Sequence, residues 1–443
     1  MKKARARERR KQFPWLAVVV GGYLVIATAY ALVLPWGDMP DESAHFLYLD
    51  YLLQERSLPV FTSGGGNYEA HQPPVYYLAA APVVGLVRAA GKGVAAQGRA
   101  ARLLSVLAGA AVMLLTYRIF RRAAPGRPEL AELAAGVTAF LPSHLLVCAA
   151  AGNDALAEVF FCAVALALVA MAEREPGWRE LLALGVGIGL AVLTKVSAII
   201  LLGVAPLGLI VASRYWDRDR WARHAARACA IVLGAALVCS AWWLLRNQHL
   251  YGDPLGAKRF VEIFTRDRPG PAYFAKFGRF VYPQVLALWT FKSSFAVFGA
   301  ANRFLPGWVY AVWLGVWLVA AAGAARSGWR WVRERRAEGA TVVAAVVLGA
   351  QMVLVVAAFL RFNAVFFQAQ ARYLGLAVAG WTGLLALGLV EWVPRGRALL
   401  VARVLTVVLA AAAVLALAHG GEHVRSAPVT LAWLWPPLGD GHF

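Results

Sequence analysis

The chain is a succession of long apolar runs separated by short basic clusters, and this pattern predicts membrane-spanning helices rather than a folded soluble domain. Runs suited to crossing a hydrocarbon core fall at about 15–35, 99–119, 129–150, 155–172, 180–194, 196–213, 226–245, 306–325, 339–359, 373–393 and 399–418. Eleven spans and no soluble domain make an all-α polytopic membrane protein. One further stretch, 73–92 (PPVYYLAAAPVVGLVRAAGK), is apolar but ambiguous, and the side on which every later loop lies depends on it.

Charge resolves the ambiguity. If 73–92 spans, the cluster Arg118, Arg121, Arg122 and Arg127 lands outside. If it lies on the surface, that cluster falls inside, as do the basic segments 214–227, 326–336 and 395–403. The second arrangement puts 26 of the 44 Lys and Arg residues into short cytoplasmic segments, as the positive-inside rule requires. It predicts a cytoplasmic N-terminus and basic tail over 1–14, a membrane domain over 15–418, and an outer C-terminal tail over 419–443. The start carries seven basic residues before Trp15–Leu34, a run too long for a signal-peptide core, so it reads as a retained first helix. Two large loops, about 36–98 and 246–305, then lie outside. Their aromatic and Pro-rich stretches predict surface-lying helices.

Composition agrees. Hydrophobic side chains make up 60% of the chain and charged ones 15%, against about a quarter charged in a soluble protein. The net charge of +20 would otherwise point to nucleic acid; in this apolar setting it records topology, and a nucleic-acid partner is excluded. Cys148, Cys162, Cys229 and Cys239 all lie in apolar runs, with no CxxC or Cys/His metal spacing. The content of Ala, Arg, Leu and Gly fits a GC-rich bacterial genome, hence a bacterial plasma membrane.

Candidate chemistry collects on the outer side. The first loop opens with PWGDMPDESAHFLYL, placing Asp41, Glu42 and His45 immediately after the first span; a helix starting near Asp41 sets Glu42 and His45 on one face. The same loop continues with YEAHQPPVYY, supplying Glu69, His71 and Gln72. Asn153 and Asp154 mark the turn between the third and fourth spans, where a helix N-cap is the ordinary use of such residues. Lys195 is the one charge between Glu180 and Arg214; an ionisable group at that depth calls for an anionic partner, snorkelling being the alternative. Arg246 and Tyr251 open the second large loop, and Gln370, Arg372 and Tyr373 form the last outer turn. Each group has a bland explanation alone. Their placement on one side favours a site.

In order, PDESAHFLYL, HQPPVYY, GND, LTK, LYGDPLG, SFAVFG and QARYL resemble the GT-C superfamily of membrane glycosyltransferases over about residues 35–375. The likeness is greatest to bacterial relatives of the protein O-mannosyltransferases and of the lipid A aminoarabinose transferase. The resemblance implies a catalytic base at Asp41 beside Glu42, a second acidic position at Asp154 with Asn153, and a lipid-phosphate contact at Lys195. It implies a polyprenyl-phosphate-linked sugar as donor and a cell-envelope glycan, lipid or protein as acceptor. The metal-dependent oligosaccharyltransferase branch carries spaced acids where this chain has only Asn153-Asp154, which argues against a required metal; no cofactor is expected, with a divalent cation as the alternative.

With a phosphate as leaving group, such a transfer needs cations, for which Lys195, Arg246 and Arg372 are the candidates, and a base for the acceptor. His45, Glu69, His71, Gln72, Tyr251, Gln370 and Tyr373 are candidates for binding acceptor or sugar. Two other readings are a flippase or transporter of lipid-linked sugars, which would also want polar groups near the midplane or inner face, and a ligase that moves a whole lipid-linked glycan.

Overall fold

A computed structural model describes residues 2–62, 67–264, 269–299, 301–334 and 338–426. Its helices are α1 (Lys2–Val33), α2 (Glu42–Glu55), α3 (Val75–Ala89), α4 (Val94–Ala123), α5 (Pro128–Phe140), α6 (Pro142–Cys148), α7 (Asp154–Met171) and α8 (Trp178–Val192). They continue with α9 (Leu201–Trp216), α10 (Trp221–Tyr251), α11 (Ala257–Phe264), α12 (Gly270–Phe295), α13 (Gly307–Glu334), α14 (Gly339–Val365), α15 (Val378–Val390) and α16 (Arg395–Ser426). The described strands are β1 (Val297–Phe298) and β2 (Arg303–Phe304), a short antiparallel pair.

Among the described residues nine helices are long and apolar enough to cross a membrane. The predicted run at 129–150 is a tenth, broken crossing: α5 and α6 meet at a 60° bend. The break follows from Pro142, which has no N–H to donate and holds the preceding Leu141 in an extended conformation. The run at 180–194 is α8, whose 15 residues reach about 22 Å, short of a ~30 Å hydrocarbon core. The basic segment at the start is helical from Lys2, continuous with the first span. At the other end α16 runs past the predicted boundary at 418; residues 427–443 of the expected outer tail lie outside the described residues.

Two hydrophobic cores fill the bundle, one gathering α1, α4, α5, α13 and α16, the other α7, α8, α9, α10 and α14. A smaller cluster explains the ambiguous stretch. α3 has only 15 residues and turns Tyr76, Tyr77, Ala80 and Val84 onto Phe46, Tyr48 and Leu49 of α2 and Ala101 of α4. With Leu78 and Leu86 facing outward, α2 and α3 are juxtamembrane helices lying on the bundle. The second large loop is built alike. α12 kinks at Gly278, whose φ of 73° suits glycine, and Tyr273, Tyr282 and Leu286 pack it onto Phe359 and Phe367.

One residue ties these pieces together. Arg102, fully buried on α4, donates Nε and Nη2 to Glu42 Oε1 and Oε2, both at 2.7 Å. Nη1 donates to the carbonyls of Ala31 and Leu34 and Nη2 to that of Pro35, satisfying acceptors at the end of α1 that would otherwise be orphaned. Glu42 also accepts the backbone N–H of Gly37 at 2.9 Å and of Ala151 at 3.0 Å. The end of α1, the start of α2, the side of α4 and the approach to α7 thus converge on one ion pair.

The predicted basic clusters also find acids: Arg122, at the far end of α4 from Arg102, pairs with Glu173, Arg330 of α13 with Glu391, and Arg403 of α16 with Glu132.

Two outcomes follow from this arrangement. Lys92 and Arg122 flank α4, about 45 Å long by its 30 residues, so single cysteines there should label from opposite sides of intact cells. Position 92 should react with an impermeant maleimide from outside and position 122 only after permeabilisation; the reverse pattern would invert the topology. Arg102→Leu should strand Glu42 as an uncompensated buried charge at a cost of about 3–5 kcal/mol, read as a large fall in Tm in detergent. Arg102→Leu with Glu42→Leu should recover much of it.

Candidate active site

The polar end of the bundle draws its side chains from four separated segments. Asp41 caps α2 in the left-handed region, at φ 62° and ψ 1°. For a non-glycine residue this is strained, though Asp and Asn tolerate it best. The preceding Pro40 and the turn onto α2 enforce it, since the Asp41 carbonyl already accepts the N–H groups of Ala44 and His45. Asp154 is the first residue of α7. Lys195 is extended between α8 and a 3₁₀ turn at Val196–Ile200, the chain there being pinned by Val75 N–H on the Leu193 carbonyl and Asn153 Nδ2 on the Thr194 carbonyl. Arg372 lies in the 3₁₀ turn Ala371–Ala377, whose first N–H is held by Ser293 Oγ.

These four side chains form one charge-balanced cluster. Arg372 Nη2 donates to Asp41 Oδ2, and Lys195 Nζ to Asp154 Oδ1. Arg372 Nη1 stands 3.9 Å from Asp154 Oδ2, linking the two pairs. Tyr68 donates its hydroxyl to Asp41 Oδ1 at 3.1 Å. The Tyr373 ring lies against both cations, with Lys195 Nζ 5.7 Å and the Arg372 guanidinium 4.9 Å from its centroid. Burial works to raise the Asp41 carboxyl, but the Arg372 guanidinium and the Tyr68 hydroxyl outweigh it and hold it at about 2.

Around the cluster the other predicted residues form a wall. His45 Nδ1 is 2.7 Å from the Tyr77 hydroxyl and 4.0 Å from Glu69 Oε2. Glu69 is buried, and desolvation raises its carboxyl above the usual range despite His45 beside it. His71 Nδ1 lies 2.7 Å from the Tyr68 carbonyl, and burial lowers this imidazole to about 4. Gln72 accepts from Asn153 Nδ2 at 3.1 Å, so buried Asn153 bridges the first loop and the Lys195 turn. Its side chain does not cap α7, the ordinary role for its type at that position. Buried Gln370 lines a small cleft of about 70 Å³ onto which Asp154 and Arg372 open, together with Pro40, His45, Ser143 and Ser293.

Three predicted residues are not brought to the cluster as expected. Glu42 diverges from its neighbour Asp41 and spends its carboxylate on Arg102, Gly37 and Ala151. Arg246 donates to the Pro59 carbonyl at 2.7 Å and stacks on Trp243 at 4.8 Å, while Tyr251 accepts the Phe61 N–H; both anchor the far part of the first loop to α10. The sequence reading missed Arg102, Tyr68 and Tyr77. Arg102 carried a weak signal, since it stands with Arg99 at the start of the run 99–119, where a basic residue reads as a flanking charge. The two tyrosines carried none beyond their loop.

A divalent cation does not fit between Asp41 and Asp154 as they stand, because each carboxylate already faces a cation.

The family described as dolichyl-phosphate-mannose-protein mannosyltransferase matches residues 72–243, which take in Gln72, Asn153, Asp154 and Lys195. No curated protein matches the chain by sequence. The fold is similar to that of ArnT from Cupriavidus metallidurans bound to undecaprenyl phosphate, with a TM-score of 0.56 and 16% identity over 94% of this chain and 73% of that one. It is also similar to the Archaeoglobus fulgidus oligosaccharyltransferase in complex with Zn and sulfate, with a TM-score of 0.55 and 14% identity over 92% of this chain and 53% of that one. A third likeness is to AglB from Archaeoglobus fulgidus in complex with an inhibitory peptide and a dolichol-phosphate, with a TM-score of 0.51 and 14% identity over 93% and 55%. The chain therefore spans about half the length of the archaeal proteins and about three quarters of ArnT. The juxtamembrane helices of the first loop agree with these likenesses, and the chain has the fold of these membrane glycosyltransferases.

Proposed function

We propose that the protein transfers a sugar from a polyprenyl-phosphate carrier to a cell-envelope acceptor at the outer face of a bacterial plasma membrane, with inversion at the anomeric carbon and Asp41 as base. The observation that carries this reading is the meeting of two carboxylates and two cations, from segments more than 300 residues apart, at the end of the bundle away from the basic clusters. The undecaprenyl phosphate bound to ArnT and the dolichol-phosphate bound to AglB support a carrier of this kind.

In the proposed step the acceptor hydroxyl or amine attacks the anomeric carbon and the bond to the phosphate oxygen breaks. Polyprenyl phosphate leaves, and the acceptor proton passes to the carboxylate. The leaving phosphate needs no general acid; it needs positive charge, which Arg372 and Lys195 provide. Both cations are paired with carboxylates in the protein alone, so a donor phosphate competes with Asp41 and Asp154 for them. As Arg372 turns to phosphate, Asp41 loses the main influence that holds it at about 2, and its proton affinity rises while the acceptor is in place. Donor binding and base activation are thereby one event.

Glu42 serves as a positioning residue, holding the backbone of Asp41 through Arg102. Arg246 fixes the loop that roofs the site. His45, Glu69, His71, Gln72, Gln370 and Tyr373 are the groups available to acceptor and sugar. The step draws on no cofactor.

Asp41→Asn keeps a residue that tolerates the left-handed backbone, so the fold should survive while transfer falls by about 10²–10⁴-fold. Donor binding should hold or tighten, because Arg372 is released from its carboxylate. The assay is transfer from a polyprenyl-phosphate sugar in nanodiscs, with donor binding measured separately; turnover like the wild type would move the base to Asp154 or Glu69. Lys195→Ala should weaken donor binding and slow transfer by roughly 10²–10³-fold, with Lys195→Arg keeping part of both. Unchanged donor affinity in Lys195→Ala would make Lys195 a membrane-interface anchor instead.

A further inference from the structure

Below the charged cluster lies a group of metal-ligating side chains that the transfer reaction does not use. His144 and Cys148 stand one turn apart on α6 and share a face, a Cys/His pairing that the sequence reading passed over. Glu158 follows Asp154 by one turn on α7, roughly 6 Å deeper by helix rise. His144 Nε2 is 2.9 Å from Glu158 Oε2 and 3.5 Å from Cys148 Sγ, and the three ligand atoms all lie within 4.8 Å of one another. All three residues are buried, Cys148 completely.

We propose that His144, Cys148 and Glu158 bind a structural zinc ion that clamps α6 to α7. The donor set is the first argument. One imidazole nitrogen, one thiolate sulfur and one carboxylate oxygen suit zinc, whereas magnesium and calcium demand oxygen throughout. With bonds of about 2.0–2.3 Å, tetrahedral ligand atoms stand roughly 3.3–3.7 Å apart. The nitrogen–sulfur separation is already in that range, the nitrogen–oxygen separation needs to open by a few tenths of an ångström, and the sulfur and oxygen, within 4.8 Å of each other, need to stand in the same range.

Charge is the second. A divalent ion with one thiolate, one carboxylate and a neutral imidazole sums to zero, the cheapest total for a group shut inside an apolar bundle.

The third is the shape of the surroundings. A Cβ on Gly109 would come within 2.4 Å of Cys148 Sγ and 2.0 Å of the Tyr23 hydroxyl, and one on Gly375 within 2.3 Å of Glu158 Oε1. The two neighbouring segments are thus cut back where they face the ligands, and the Tyr23 hydroxyl, which donates to the Val106 carbonyl at 3.0 Å, stands beside Cys148. Finally, α6 reaches this place through the 60° bend at Pro142, and a zinc cross-link would fix this seven-residue helix to α7. Gly375 belongs to the 3₁₀ turn that carries Arg372, so the ion would also set the floor of the charged cluster. This site is separate from Asp41 and Asp154 and stands whether or not the proposed transfer is correct.

Because the site is enclosed, zinc enters as the helices assemble and exchanges slowly. The test is elemental analysis of the full-length protein, produced in zinc-supplemented medium and dialysed against EDTA in detergent, beside protein grown in cobalt. The expected result is about one zinc per chain that survives the chelator and, in the cobalt form, a thiolate-to-metal charge-transfer absorption. Cys148→Ala and His144→Ala should reduce the metal to near zero, and Cys148→Ser should remove the charge-transfer band. Wild-type protein with no zinc above the buffer and no such band would overturn the proposal, leaving a His144–Glu158 hydrogen bond beside a thiol. Zinc retained in full by both alanine variants would overturn it equally, by placing the metal elsewhere. The wild-type measurement decides the matter even if a variant fails to fold.

Discussion

The polar end of this bundle depends on burying one guanidinium. Arg102 has every charge-bearing nitrogen engaged, on Glu42 and on three carbonyls at the end of α1. A charge so far from water is tolerable only when its partners are all in place, so the interaction is close to all-or-none. It fixes where the chain leaves α1 and where α2 begins, and Asp41 is the last residue before α2. The strain at Asp41, a left-handed residue with a carbonyl committed to two N–H groups, is held by this neighbouring anchor.

Every residue of the charged cluster stands where regular helix is interrupted. Asp41 precedes α2, Asp154 begins α7, Lys195 is extended between α8 and a 3₁₀ turn, and Arg372 lies in another such turn. In a membrane bundle the helix interiors have satisfied their backbone internally and present mostly apolar side chains. Irregular backbone is where polar side chains can be aimed at one another, and it is tolerated at this end because protein covers it: α2 and α3 from the first loop, α12 and the β1–β2 pair from the second. Asp38 and Arg303, 3.4 Å apart, join the two covers.

The cluster is electrically closed, two carboxylates against two cations. Such a site does not hold an idle base of high proton affinity or an idle pair of cations; each restrains the other. In the proposed transfer that restraint is what the donor phosphate relieves, so the charge balance seen in the protein alone and the chemistry assigned to it have one origin.

The sequence alone determined the class of protein, because twenty apolar residues in a row have one stable use, and its basic clusters predicted a surface helix at 73–92, where the structure has the 15-residue α3. It also named Asp41, Asp154, Lys195 and Arg372, since charges are scarce enough in an apolar chain for each to be noticed. What it could not assign was partnership. Glu42 and Asp41 are adjacent in the chain, yet one faces Arg102 and the other Arg372; Lys195 and Arg246 looked alike as outer cations, yet only Lys195 reaches a carboxylate of the cluster. Charge spacing along a chain fixes depth in the membrane through desolvation, which is a property of each residue by itself. Which charge meets which depends on the rotation of each helix about its axis and on the bend at Pro142, and these are set by packing between segments hundreds of residues apart, so only the tertiary structure decided them.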